Sequence, residues 1–153
     1  MQPDPTLIAK TLAEAGVEAS FEEVRALGYV VRIAPESVRA AIGALKDCSR
    51  SFDFLVDLFG IDTGEAIDVV YHVRSFGDDA ELHVKAEHAY DSVLTSVWDI
   101  LPAALMAERE CAEMFGLKLA GHPNPKHLLL TEGSQPLLRK SIEIRTAEEV
   151  RNR

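Results

Sequence analysis

The sequence predicts an α+β fold in which an antiparallel sheet packs against helices. Three observations point there. Between residues 52 and 87, three runs alternate apolar and polar side chains with a period of two, separated by short glycine-bearing turns. On either side of these runs, apolar residues recur at the three- and four-residue spacing of one helix face. Beyond Gly116 the chain is dense in proline and glycine yet rich in leucine, which solvated loops usually are not.

The 153 residues suffice for one domain with its own core, and 47% hydrophobic with 27% charged residues is ordinary globular composition. A net charge of −9 argues against nucleic acid and against an anionic lipid surface, both of which need clustered Lys and Arg. The basic stretch from Arg139 is a weak local exception. No apolar run approaches the roughly 18 residues of a membrane span, and the N-terminus lacks a signal-like pattern, so the expectation is a cytoplasmic chain. Cys48 and Cys111 stand far apart and cannot by themselves build a disulfide framework, a zinc site or an iron–sulfur site.

Asp4 before Pro5 is a cap and first-turn pair, Leu7, Ile8 and Leu12 follow at helical spacing, and Gly16 ends this opening helix. Residues 17–27 offer both a capping box, Ser20 with Glu23, and a strand-like alternation of Val17, Ala19 and Phe21; the strand is preferred. "YVVRI" at 29–33 is rich in β-formers, and Pro35 opens a helix with Val38, Ala41, Ile42 and Leu45 on one face. The three alternating runs place Phe52, Phe54, Val56 and Leu58, then Ile67, Val69, Tyr71 and Val73, then Leu82, Val84 and Ala86 on the core side of an antiparallel meander. Its other face, with Asp53, Asp57, Asp68, His72, Arg74, Glu81, His83, Lys85 and Glu87, reads as solvated. Asp91 is placed to cap a helix, Pro102 restarts one over 102–115, and Gly116 ends it.

In that helix Ala103, Ala104, Ala107, Cys111, Met114 and Phe115 form the apolar stripe, while Glu108, Arg109, Glu110 and Glu113 fan over the rest. A charge run usually faces water. Leu105 and Met106, however, fall inside the charged arc, and the Leu-rich segment that follows has few places to hide in a small domain. The alternative is that another protein covers the arc, in which case its charges need partners.

The string "ERECAEMFGLKLAGHPNPKHLL" resembles the signature of the thirty-kilodalton subunit family of respiratory complex I, the NADH-quinone oxidoreductase, and of its counterparts in energy-converting membrane-bound [NiFe] hydrogenases. The matching positions are Glu108, Arg109, Glu110, Glu113, Met114, Phe115, Gly116, Gly121, His122, Pro123, Lys126, Leu128 and Leu129. "FDFLVDLFGID", "DVVYHVRS" and "PLLRK" extend the similarity from about Phe52 to Lys140. Two departures favour a hydrogenase-type or other non-NADH complex: Leu101 and Met106 stand where NADH-linked members tend to carry tryptophans, and a second Gly-His-Pro is reduced to "SQPLLRK".

The resemblance implies an α+β domain over 1–120 and an extended C-terminal arm over 121–153 that packs on a partner subunit. It implies a peripheral-arm subunit on the cytoplasmic side of the membrane, with no catalytic site, cofactor or metal of its own. The [NiFe] centre, iron–sulfur clusters or quinone would belong to partner subunits, including the large catalytic or quinone-site subunit. Glu108, Arg109, Glu110, Glu113, His122, Lys126, Arg139 and Lys140 are the interface residues it nominates.

Two other readings stay open. His122 and His127 with Glu108 and Glu110 could serve as ligands or acid–base groups, but Pro123 and Pro125 keep the two histidines off one helical face. His72 and His83 could face each other across paired strands, yet two histidines alone make a poor metal site. No nucleotide-binding glycine pattern or nucleophile elbow is present. A free-standing binding module of the same fold is the competing class, and "GHPNPKH" would then be no more than a rigid turn.

Overall fold

The structure, a computed structural model, describes residues 4–24 and 28–143. The end of the 17–27 strand reading and the last ten residues of the arm lie outside them. The chain opens with α1 (Pro5–Glu14), capped by the Asp4 side chain, which accepts from the Thr6 N–H at 2.9 Å. β1 (Ala19–Val24) and β2 (Gly28–Ile33) pair as an antiparallel hairpin. A single 3-10 turn at Pro35–Ser37 leads into α2 (Val38–Asp47), which buries Val38, Ala41, Ile42 and Leu45, the four residues its spacing put on one face. Then come β3 (Phe54–Asp62), β4 (Ile67–Ser75) and β5 (Ala80–His88), the expected meander.

The five strands form one sheet in the order β1-β2-β5-β4-β3. It is largely antiparallel, but β2 and β5 run parallel, with Val31 beside Val84. Residues 34–53, including α2, carry the chain from β2 to the far edge, so β5 returns pointing the same way as β2. Turn lengths between neighbouring strands carry no information about that meeting.

One strand face differs from expectation. In β3 the buried apolar residues are Leu55 and Leu58, while Phe54 and Val56 are exposed. A β-bulge between Leu55 and Asp57 is the cause: Leu55 pairs with Val73 and Asp57 with His72, so Val56 is the extra residue and the alternation shifts by one. The sheet's polar face is also less solvated than expected. Asp68 and His83 are buried there, Asp68 in a 2.6 Å ion pair with Lys85, and His83 stacked on His72 with ring centroids 4.2 Å apart.

Asp91 starts no helix. It sits at φ 60° before the short strand β6 (Val93–Thr95), which pairs in parallel with β7 (Lys118–Ala120). Between them lies α3 (Ala104–Phe115), ended by Gly116 in the left-handed region at φ 71°. The three helices share one core with one sheet face, joining Ile8 and Leu12 of α1, Ile42 and Leu45 of α2, and Cys111 and Phe115 of α3 to Val31, Tyr71 and Val84. α3 comes closest at Gly60 of β3, where a Cβ would lie 2.5 Å from the Phe115 ring. Residues 121–143 contain no helix or strand and fold back along α3.

Candidate functional site

Three of the four charged side chains of α3, Glu108, Arg109 and Glu113, bond to other parts of the chain, and each has a separate task. Glu108 is fully buried; its Oε1 accepts from the Val97 N–H at 2.7 Å, and its Oε2 accepts a close hydrogen bond from the Ser96 hydroxyl. Among the described residues no cation lies within ion-pair distance of it. Burial pushes its carboxyl above the ordinary value, against the pull of those two hydrogen bonds and of nearby His122. The loop it holds, residues 96–101, is held from the other side by α2: Arg39 donates to the Ser96 carbonyl at 2.5 Å and forks onto Asp99 at 2.7 and 2.8 Å, while Lys46 donates to the Ile100 carbonyl at 2.7 Å. Hydrogen bonding from Arg39 lowers Asp99 to about 2.

Arg109 and Glu113 fasten the segment after Gly121. Arg109 donates from Nε to the Lys126 carbonyl and from Nη2 to the His127 carbonyl, both at 2.8 Å. Glu113, also buried, accepts three successive backbone N–H groups: Leu128 and Leu129 at 2.8 Å and Leu130 at 3.3 Å. Burial alone would raise the Glu113 carboxyl, but the three N–H groups together hold it below the ordinary value. His122 is buried between these two anchors. Its Nε2 lies 2.7 Å from the Leu105 carbonyl, an acceptor only, so that nitrogen carries the proton, leaving Nδ1 to accept from the Asn124 N–H at 3.0 Å.

Arg139 closes the far end. Its Nε donates to the Phe115 carbonyl at 2.7 Å and its Nη2 to the Gly116 carbonyl at 3.2 Å and to Asp91 at 2.9 Å, with the guanidinium 4.9 Å from the Tyr90 ring centroid. It therefore caps the C-terminus of α3, where carbonyls lack helical partners and a cation is favoured. The Lys140 N–H donates to Asp62 Oδ2 at 2.7 Å. Asp62 also takes the Tyr90 hydroxyl at 2.6 Å and the Gly64 N–H at 2.8 Å, and these bonds, Tyr90 first, lower its carboxyl.

Of the eight residues nominated from sequence, the structure thus gathers Glu108, Arg109, Glu113, His122 and Arg139 along one helix and its returning chain. The side chains of Glu110, Lys126 and Lys140 are exposed. The solvated-face reading of the arc is corrected for Glu108 and Glu113, whose partners are backbone N–H groups and a hydroxyl of the same chain. Ser96, Asp62 and Arg39 were not singled out from sequence. Asp62 alone carried a signal, an aspartate two residues before a turn glycine, but its grip on Lys140 spans 78 residues. Among the described residues no three His, Cys, Asp or Glu side chains converge as metal ligands would.

Residues 31–148 match the family described as respiratory-chain NADH dehydrogenase, 30 Kd subunit. The chain is 35% identical to the C subunit of the NADH-quinone oxidoreductase of Moorella thermoacetica over 119 residues, 72% of this chain and 77% of that protein. It is 34% identical to the protein of the same name from Rhodobacter capsulatus and 33% identical to that from Phenylobacterium zucineum, covering 67% and 77% of this chain. It spans about half the length of the latter two, 54% and 55%. Among solved structures, a chain of an archaeal respiratory membrane complex, the membrane-bound sulfane sulfur reductase, superposes with a TM-score of 0.75 over 96% of this chain and 88% of that one. At 20% identity that likeness is one of fold.

Proposed function

The chain belongs to the 30 Kd subunit family of respiratory-chain NADH dehydrogenase, and on that premise we propose that it is a non-catalytic, peripheral subunit of a complex I-like membrane oxidoreductase. Its work there is to hold a large catalytic or quinone-site subunit in place, on the cytoplasmic side of the membrane. Redox centres belong to its partners. Attachment to the membrane would run through those partners; no helix among the described residues is long and apolar enough to cross a membrane.

The observation that carries this reading is how the chain uses its charges. Because Arg109 and Glu113 of α3 bond the backbone of the returning segment, and Arg139 of that segment bonds the carbonyls that end α3, the segment is ordered against α3 with apolar side chains facing outward. Leu129, Leu138 and Met106 are more than half exposed, with Leu137 close behind. A ridge of large apolar side chains on a fixed backbone suits a lasting protein contact, since little entropy remains to be lost on docking.

Two branches remain for the partner. Leu101, Met106 and the "SQPLLRK" ending favour a membrane-bound hydrogenase-type complex. The names of the Moorella, Rhodobacter and Phenylobacterium relatives favour a quinone-reducing one. Tagging the chain in its host, solubilising membranes in mild detergent and identifying co-purifying proteins by mass spectrometry separates them: a large subunit with paired cysteines for [NiFe] gives the first, one without them the second. Recovery of the tagged chain alone from the soluble fraction would overturn the proposal and favour a free-standing module.

A further inference from the structure

Apart from Val93 on β6, the exposed large apolar side chains among the described residues fall into two groups, and the ridge beside α3 is only one of them. The other runs along β3, an edge strand: Phe54, Val56 and Ile61 are 43 to 46% exposed, and Phe76, on the β4–β5 turn, is 63% exposed. Phe54, Phe59 and Ile61 pair with Arg74, Val70 and Asp68 of β4, on the sheet face turned away from the three helices, and Val56 occupies the bulge. The group is already ordered. The rings of Phe54 and Phe76 meet edge to face at 5.1 Å, and Arg74, held by Asp79 at 2.5 Å and Glu81 at 3.2 Å, lies 5.1 Å from the Phe76 ring centroid. Exposed carboxylates border the strip at Asp53, Asp57, Glu65, Asp78, Asp79 and Glu81, and outnumber the cations beside it, Arg50, Arg74 and Lys85, the last of them paired with buried Asp68.

We infer that this strip is a second docking surface, and that it takes an amphipathic helix of another subunit with Lys or Arg along the borders of its apolar face. Family membership and the ridge beside α3 say nothing of it, although it rests on the reading of the chain as part of a complex. The contact is through side chains rather than strand addition, for two reasons. The bulge breaks the regular edge, and the Leu58 N–H is already taken by its neighbour Asp57 at 2.8 Å. Nine strand residues span about 30 Å, which a helix of about 20 residues covers. The acidic border selects a basic rim and makes the association salt-sensitive.

The test uses the assembled complex in its host, with a photo-crosslinking side chain placed at Ile61, at Leu129 on the arm, or at Glu87 on the same sheet face as a background. The Ile61 adduct should map to a helical segment with Lys or Arg flanking its apolar residues, at a yield at least about tenfold above the Glu87 background and falling as salt is raised. Adducts from Leu129 but none above background from Ile61 overturn this inference and leave the assembly reading standing; adducts from neither overturn both. An Ile61 adduct to a second copy of this chain, or to a segment without basic flanks, also overturns it. As a second measure, Ile61→Asp should cut the recovery of intact complex about tenfold while shifting the melting temperature of the isolated chain by less than about 3 °C. A large fall in that temperature would show Ile61 to be structural and overturn the inference.

Discussion

Removing the Glu108 carboxylate strands the Ser96 hydroxyl and the Val97 N–H in a site that water does not reach. Glu108→Ala is therefore expected to cost about 3 kcal/mol, from two unsatisfied groups and a cavity, measured by denaturant unfolding; a loss below about 1 kcal/mol would show that the loop relaxes to meet other partners. Glu108→Gln tests a different property. Burial raises the native carboxyl above its unfolded value of 4.5, so this group's contribution is most favourable below that pH and is lost as pH rises through the raised native value. The glutamine variant should lack that falling limb, and a stability profile identical to the parent's would refute the linkage. Asp99 has the opposite sign. Arg39 lowers it from 3.8 to about 2, so the stability it contributes is present above 3.8 and disappears as pH falls through about 2. Neither behaviour was legible from the sequence, where Glu108 read as one more member of a charge run and the long stretch of chain between Arg39 and Glu108 hid their common loop.

Gly60 and Phe115 join β3 to α3, and the tight contact between them is an element-scale constraint. A Cβ at residue 60 meets the Phe115 ring at 2.5 Å, so Gly60→Ala must tilt the helix or displace the ring, at about 1–3 kcal/mol. Phe115→Leu should relieve part of that cost. A double-mutant cycle with no coupling between the two changes would place the strain elsewhere. The arm is held in a different way, in part by the buried Glu113 carboxylate, which accepts three of its backbone N–H groups. Glu113→Gln leaves one carbonyl oxygen facing three N–H groups, and amide hydrogen exchange at Leu128, Leu129 and Leu130 should quicken by about tenfold while core amides of β4 stay protected. Equal exchange in both proteins would mean the arm does not depend on Glu113. The faces of α1 and α2 were readable because period and burial agree there, and in β4 and β5 every residue the alternation placed on the core side is buried. β3 was not readable, since one bulge residue reverses the face and alternation alone cannot show it. The parallel meeting of β2 and β5 is a long-range event with no local signature. The resemblance nominated Glu113 and Arg139 without revealing that their first partners lie within the chain.

At the scale of the whole molecule, the question is whether the arm is an appendage or part of the fold. The sequence divides the chain after residue 120, and that division is our proposal for how it meets its partner; energetically, the two parts are joined. A chain ending at residue 120 would leave the buried Glu113 carboxylate without its three N–H donors, and the Phe115 and Gly116 carbonyls without Arg139. It would also open the cleft that His122 fills against Leu105. Each of these losses is worth roughly 1–3 kcal/mol, against a total stability for a domain of this size of only about 5–15 kcal/mol. The truncated chain is thus expected to melt at least about 10 °C below the full one and to bind dyes that report exposed apolar surface. If it melts within about 2 °C of the full chain, the arm is an appendage whose order comes from the partner. The distinction bears on assembly. An arm folded in advance presents Leu129, Leu137 and Leu138 in fixed positions before any partner arrives, whereas an appendage must lose its conformational freedom on docking. Arg109→Ala separates the two cases, because among the described residues Arg109 bonds only arm carbonyls and the Met106 sulfur. With a pre-folded arm it loosens the isolated chain and slows association together; with an appendage it changes neither the isolated chain's melting nor its hydrogen exchange.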